Sequence, residues 1–280
     1  MNNYVEGKVI LITGAASHRG FGRAAALKLA KMGAKLVLVD RLEDRLHETT
    51  ALVKEAGAEA VDLVADVGSY EANKKMVQLA LDTFGKLDVF VANAGTMPLA
   101  FWSDAEIAMD AWNDCIDTNY KGVMYGIAAS REALAADHNG QFIVISSIYA
   151  NAPVSGAAIY QSTKIAVRYL VNTLRQEEFG KIKTTIINPT GVPGTNLMKT
   201  VVNRNTYGGG QGSNVVEFFK RAKDLKEGNG IEGANDPSSP NCVNITANEI
   251  ADGIVYAINQ PAGVSISDLT IRAANETFTI

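Results

Sequence analysis

Seven short runs of aliphatic and β-branched residues punctuate the 280-residue chain, separated by stretches of helical periodicity. The runs are Lys8–Thr13, Lys35–Asp40, Ala60–Ala65, Asp88–Asn93, Phe142–Ser146, Thr184–Asn188 and Ser267–Arg272. The helical stretches are Gly20–Met32, Leu42–Ala56, Tyr70–Phe84, Asp104–Ala136, Tyr160–Phe179 and Ala247–Asn259. Val9-Ile-Leu-Ile12 and Phe142-Ile-Val-Ile145 place apolar side chains at consecutive positions. A strand of that kind must be covered on both faces, which is the situation inside a parallel sheet. The alternation therefore predicts a doubly wound α/β sheet of about seven parallel strands, with helices on both faces and ligands at the carboxyl ends of the strands. With 47% hydrophobic residues, the chain can bury one large core, so residues 1–280 are expected to form a single domain.

One segment departs from the alternation. Residues 195–245 contain Gly208-Gly-Gly-Gln-Gly212, a helical pattern around Val215–Leu225, and Pro237-Ser-Ser-Pro240. A long connection inside a compact domain tends to be functional or disordered. This one leaves the carboxyl end of the sixth run, on the ligand side, and is read as a mobile substrate lid.

Charge and cysteine usage narrow the function classes. The net charge is -4 and no Lys/Arg stripe occurs, which argues against nucleic acid or an anionic membrane as partner. Cys115 and Cys242 lie far apart without metal or redox spacing, as suits a reduced cytoplasmic compartment. The N-terminal residues lack the pattern of a signal peptide, and no apolar run approaches the ~20 residues that span a bilayer. A soluble cytoplasmic protein is expected. His18, His47 and His138 show no ligand spacing, so no metal is assigned.

A glycine-rich turn, Thr13-Gly-Ala-Ala-Ser-His-Arg-Gly-Phe-Gly22, joins the first run to the first helical stretch. Glycines there let backbone approach a pyrophosphate, and the helix N-terminus supplies free N–H donors. Gly14, Ser17, Arg19, Gly20, Phe21 and Gly22 are the candidate cofactor contacts. Asp40 ends the second run; a carboxylate at that position accepts from ribose hydroxyls and repels a 2′-phosphate, favouring NAD over NADP. Arg41 and Arg19 are the groups that would instead meet a 2′-phosphate.

Tyr160 and Lys164 stand four residues apart in a helical stretch, with Ser147 thirteen residues before Tyr160. Positions i and i+4 share a helix face, so the ammonium can favour a phenolate. Bringing a Tyr from ~10 to about 7 requires roughly 4 kcal/mol of preference for the charged form. An exposed ion pair supplies at most ~1 kcal/mol, so a usable base implies a partly desolvated site with several donors.

Taken together, these motifs resemble the short-chain dehydrogenase/reductase family over almost the whole chain. Thr13–Gly22 is similar to the family's glycine motif, Asp66-Val67 to its adenine-contacting pair, and Asn93-Ala94-Gly95 to the turn after its fourth strand. Asn119, Ser147, Tyr160 and Lys164 correspond to its catalytic tetrad. Asn188-Pro-Thr-Gly-Val192 resembles the segment that reaches the nicotinamide carboxamide, which brings Pro189, Val192 and Thr195 to the cofactor. The resemblance implies a Rossmann-type fold and hydride transfer between NAD (or NADP) and a secondary alcohol or ketone. Tyr160 would be acid/base, Ser147 would hold the substrate oxygen, Lys164 would lower the Tyr160 pKa and bind the nicotinamide ribose, and Asn119 would hold a relay water. Two departures stand out. Five residues, Ala15–Arg19, separate the first two glycines where three are usual, as in the enoyl-reductase branch, and Thr190 replaces a glycine. An enoyl or 3-oxoacyl reductase and a non-catalytic dinucleotide sensor are the alternative readings. A hydrolase is disfavoured because no nucleophile elbow surrounds Ser147.

Met97, Trp102, Tyr149, Val154 and Thr190, with Ser147 and Tyr160, are the candidate substrate contacts, suggesting a medium-sized, partly apolar alcohol or ketone. The helical stretches carrying Ile165, Val167, Tyr169, Leu170, Val171 and Leu174, and Ile107, Trp112, Ile116 and Met124, are apolar around more than one face. That calls for a second partner. A homodimer is expected there, and the family resemblance suggests a tetramer.

Overall fold

The computed structural model describes residues 2–280. Seven strands, β1 (Val9–Thr13), β2 (Lys35–Asp40), β3 (Ala60–Val64), β4 (Val89–Ala92), β5 (Gly140–Ile145), β6 (Ile182–Pro189) and β7 (Asp268–Ile271), form one sheet in the order β3-β2-β1-β4-β5-β6-β7. Every pairing is parallel. All seven expected strands form, and the expected doubly wound α/β architecture is the one observed.

Consecutive residues of β1 explain how the sheet is held. Ile10 and Ile12 enter the core beneath α1 (Phe21–Ala30) and α8 (Ala247–Ile258), with Leu29, Leu36, Leu38 and Ile254. Val9 and Leu11 enter the core on the other face, with Met76, Phe90, Phe142, Val167 and Val171. That second core is covered by α3 (Tyr70–Phe84), α5 (Gly122–Ala135) and α6 (Ala158–Glu177). Fully burying one such side chain contributes about 1.5–3 kcal/mol, so a double-sided apolar strand cannot be left half covered. The outermost strands β3 and β7 are only partly buried, as edge positions allow. Strand order reverses direction between β1 and β4, and the crevice above that point is where a doubly wound sheet accepts ligand.

The stretch Asp104–Ala136, expected as one helix, is two. α4 (Ala105–Cys115) and α5 are separated by a π-helical turn, Ile116–Lys121, which carries Asn119. Wide turns of this kind occur where a side chain must be aimed outside the regular helix. Here Asn119 is aimed at the backbone of Thr96. Beyond β6 the chain passes through short 3₁₀ turns and α7 (Val215–Lys226) before α8. This segment is tied to the loop after β4. Met97 N donates to Thr200 Oγ1 at 2.7 Å, and Asn203 N donates to Leu99 O at 2.9 Å. α2 (Glu43–Glu55) completes the first half of the fold. Among the described residues no helix is long and apolar enough to cross a membrane.

Candidate active site

A cavity of about 990 Å³ opens above the carboxyl ends of β1, β4, β5 and β6. Its nucleotide end is built from the β1–α1 turn. Gly14 has φ +70°, and a Cβ there would lie 2.8 Å from Asn93 Nδ2; a Cβ on Gly22 would lie 2.5 Å from Gly14 O. Asn93 fastens this turn, its Nδ2 donating to Thr13 O (2.8 Å) and Gly14 O (3.1 Å). No side chain caps the N-terminus of α1, and its first turn holds no acidic residue. Free N–H donors and the positive end of the helix dipole therefore face the cavity.

Gly14, Ser17, Gly20, Phe21, Asp40, Arg41, Asp66, Val67, Asn93, Ala94, Gly95, Pro189, Val192 and Thr195 all line the cavity. Gly22 lies beneath the turn rather than on the wall. Arg19 is exposed, its guanidinium lying over Gly194 between the wall residues Pro193 and Thr195, while its neighbour His18 turns away to Glu48 (2.8 Å), which also holds Arg23. His18 thus reaches toward α2, whereas Arg19 leans across to the segment after β6. Asp40 accepts from Ala16 N at 2.9 Å and Leu42 N at 3.0 Å, one bond to each carboxylate oxygen. Arg41 is drawn to Asp114 at 3.2 Å.

At the far end of the cavity Ser147, Tyr160 and Lys164 converge. Ser147 lies two residues beyond β5 in an extended conformation (φ -169°, ψ 155°), and its Oγ accepts from Tyr149 N at 3.2 Å. Tyr160 and Lys164 stand one turn apart on α6, both buried, with the Lys164 ammonium 5.8 Å from the Tyr160 ring centre. Lys164 Nζ donates to Ile145 O at 2.7 Å. Burial pushes the Tyr160 phenol up and outweighs its hydrogen bond with Ser147. Burial also brings Lys164 down to about 8. Desolvation thus works against the expected lysine-assisted phenolate, and the lysine's hydrogen bond is to a carbonyl.

Asn119 is close by but inside the wall. Its Oδ1 accepts from Thr96 N (2.9 Å), and its Nδ2 donates to Thr96 O (2.9 Å), Thr163 Oγ1 (3.2 Å) and Cys115 Sγ (3.2 Å). Its side-chain amide is thus spent on fixing Thr96 and the wall around it. Met97, Tyr149 and Thr190 line the cavity. Val154 is buried in the neighbouring apolar cluster, and Trp102 is 69% exposed outside it. Neither is a wall residue.

Leu197, Met198, Tyr207, Phe218 and Arg221 bring the expected lid segment onto the wall without having been singled out in it, whereas Thr96 and the tail residues Glu276–Phe278 carried no signal in the sequence. They come from the lid segment, the tail and the loop after β4, where no periodicity points inward. The side-chain hydroxyls of Thr96 and Thr190 are buried without a hydrogen-bond partner. A buried hydroxyl without a partner costs about 1–3 kcal/mol.

The model of the short chain dehydrogenase family matches residues 8–206. The chain belongs to that family. An uncharacterized oxidoreductase of Listeria monocytogenes is 35% identical over 277 residues, covering 98% of this chain and 99% of that protein. Among solved structures, an alcohol dehydrogenase of Thermococcus sibiricus complexed with 5-hydroxy-NADP superposes with a TM-score of 0.76 at 25% identity, over 97% of this chain and 98% of the other. A short chain dehydrogenase/reductase of Burkholderia phymatum in complex with NAD does so with a TM-score of 0.74 at 25% identity, over 96% and 90%. This short chain dehydrogenase thus shares its fold along its whole length with nucleotide-bound relatives.

Proposed function

We propose that this short chain dehydrogenase transfers a hydride between a nicotinamide dinucleotide and a secondary alcohol or ketone, with Tyr160 as general acid/base. The observation that carries this reading is the convergence of Ser147, Tyr160 and Lys164 in the same cavity as an uncapped, glycine-lined helix N-terminus. A dinucleotide fits the residues present. The Gly14–Gly22 crossing leaves room for a pyrophosphate, Asp40 stands at the end of β2 for the ribose, and the unpartnered Thr190 hydroxyl sits in the segment that would face the nicotinamide. Bound there, the nicotinamide supplies the hydride acceptor or donor.

In the oxidation direction, Ser147 Oγ and Tyr160 Oη hold the substrate hydroxyl; Tyr160 first gives its own proton up to solvent beside the protonated Lys164, and the phenolate so formed then takes the substrate's proton as the hydride leaves. Lys164, protonated, lowers the cost of the phenolate that forms; at about 8 it exchanges protons near neutral pH. Asn119 positions the Thr96 backbone beside them. In reduction the same phenol donates. An enoyl reductase is disfavoured because His18 of the enlarged glycine loop leans on Glu48 and the reacting end keeps Tyr160 and Lys164 one turn apart.

For the cofactor, the hydrogen-bonded Asp40 carboxylate and the diversion of Arg41 to Asp114 favour NAD. A like charge at 4 Å costs about 4 kcal/mol in a partly exposed setting. The kcat/KM with NAD should therefore exceed that with NADP by at least ~10-fold, and Asp40→Ala should narrow the ratio. Equal rates with both cofactors in the parent enzyme would undo the argument.

The assembly reading is narrowed by burial. Val167, Val171, Leu174 and Trp112 are consumed inside the chain, Trp112 donating to Pro98 O at 3.1 Å. Ile107, Met109, Ile165 and Tyr169 remain exposed on α4 and α6, which pack side by side. That face is the proposed homodimer surface, from which a tetramer can be built. Gel filtration at micromolar concentration should return at least a dimer, and Tyr169→Glu should shift it toward monomer. A monomeric parent protein would remove the proposal.

A further inference from the structure

We infer that the C-terminal tail, residues 275–280, is a wall of the substrate compartment, and that Phe278 sets how wide a substrate the enzyme accepts. The inference rests on the oxidoreductase reading above and concerns what kind of alcohol or ketone fits. Phe278 stands edge-on to Tyr149 at 6.2 Å, and Tyr149 stands edge-on to Tyr160 at 6.0 Å. An aromatic row therefore runs from the reacting hydroxyl out to the tail. Met97, Leu99, Ile148 and Leu197 share that apolar cluster. Because the row is apolar, it suits the carbon substituents of the carbinol and not a charged group.

The seat of Phe278 is built by absence of side chains. A Cβ on Gly191 would lie 2.8 Å from the Phe278 ring, and one on Gly210 would lie 3.1 Å from both the Phe278 and Tyr149 rings. The lid segment and the segment after β6 thus keep bare backbone where the ring lies. The tail is also pinned along its length. Arg221 Nη1 donates to Asn275 O (2.7 Å), Thr277 Oγ1 donates to Gln211 Oε1 (2.6 Å), Thr279 N donates to Gly210 O (3.3 Å), and Arg272 Nη2 donates to Phe278 O (3.1 Å). A strap held at so many points places its aromatic side chain at a fixed depth.

The test compares the parent enzyme with Phe278→Ala and Phe278→Trp on two ketones of different width, acetone and 2-acetonaphthone. It reads kcat/KM and, separately, calorimetric binding of each ketone to the protein. Phe278→Ala should raise the naphthone-to-acetone ratio by about tenfold or more, on the scale of pocket discrimination by a few carbon atoms, and Phe278→Trp should lower it. Opposite shifts from the two variants exclude a general loss of fold as the cause. Unchanged ratios in all three proteins, or no binding of either ketone to any of them, overturn the wall. If the ketones bind with the expected order but the parent turns over neither, the wall stands and the oxidoreductase reading fails.

Discussion

Tyr160→Phe should lower turnover by about 10²–10⁴-fold while leaving NADH affinity within about twofold, since a positioned acid/base contributes on that scale. The substitution removes one oxygen. The Tyr160 ring stays packed among Met97, Leu99, Cys115 and Ile148, and the lost hydrogen bond to Ser147 is a net contribution of about 1 kcal/mol. Folding should therefore survive, and a loss of turnover can be assigned to chemistry. Tyr149 is the rival hydroxyl nearby; burial raises it as it raises Tyr160, but only Tyr160 shares α6 with Lys164, one turn away. Absorbance of reduced cofactor measures turnover, and cofactor fluorescence measures binding. A Tyr160→Phe protein with more than one-tenth of the parent rate would mean that another group moves the proton. A protein that senses dinucleotides without turnover would keep its binding response in this variant and show no parent rate to lose.

The fold was legible in the sequence because its information is local. Val9–Ile12 and Phe142–Ile145 are apolar at every position, and only double coverage satisfies that. The Gly14–Gly22 turn, Asp40 and the Tyr160/Lys164 pair were legible for the same reason: each lies on one element end, and spacing along one element fixes geometry. What escaped depends on contacts between distant segments. The π-helical turn at Asn119 follows from a bond to Thr96, set by the β4 loop and invisible in the helical periodicity of 104–136. Phe278 meets Tyr149 across more than a hundred residues, and nothing in Glu276-Thr-Phe-Thr-Ile280 announces a wall. The pull of burial on the phenol escaped too. Spacing places Lys164 beside Tyr160 but does not reveal that Ile145 O takes the ammonium, nor that burial outweighs the lysine's influence on the phenol.

Lys164→Met should abolish most turnover, by about 10²-fold or more through loss of the phenolate's supporting charge, and should at the same time stabilise the fold near neutral pH. Lys164 falls from its ordinary 10.5 to about 8 through burial, which means the folded protein binds this proton less well than the unfolded chain does. Below pH 8 the lysine is protonated in both states, and the fold carries the full desolvation cost, on the order of 3 kcal/mol. Between pH 8 and 10.5 the folded state gives up its proton first and the cost fades; above 10.5 none remains. Methionine removes the cost but leaves Ile145 O without its donor, a loss of about 1–3 kcal/mol. A net gain of about 1 kcal/mol at pH 7 is expected, falling through zero and reversing as pH rises past 8, because the lost hydrogen bond does not depend on that proton. Thermal unfolding of both proteins from pH 6 to 10 reads the difference directly. A stability difference that stays flat across this range would show that Lys164 is not desolvated in the way its position in the wall requires, and the proton exchange assigned to it near neutral pH would go with it.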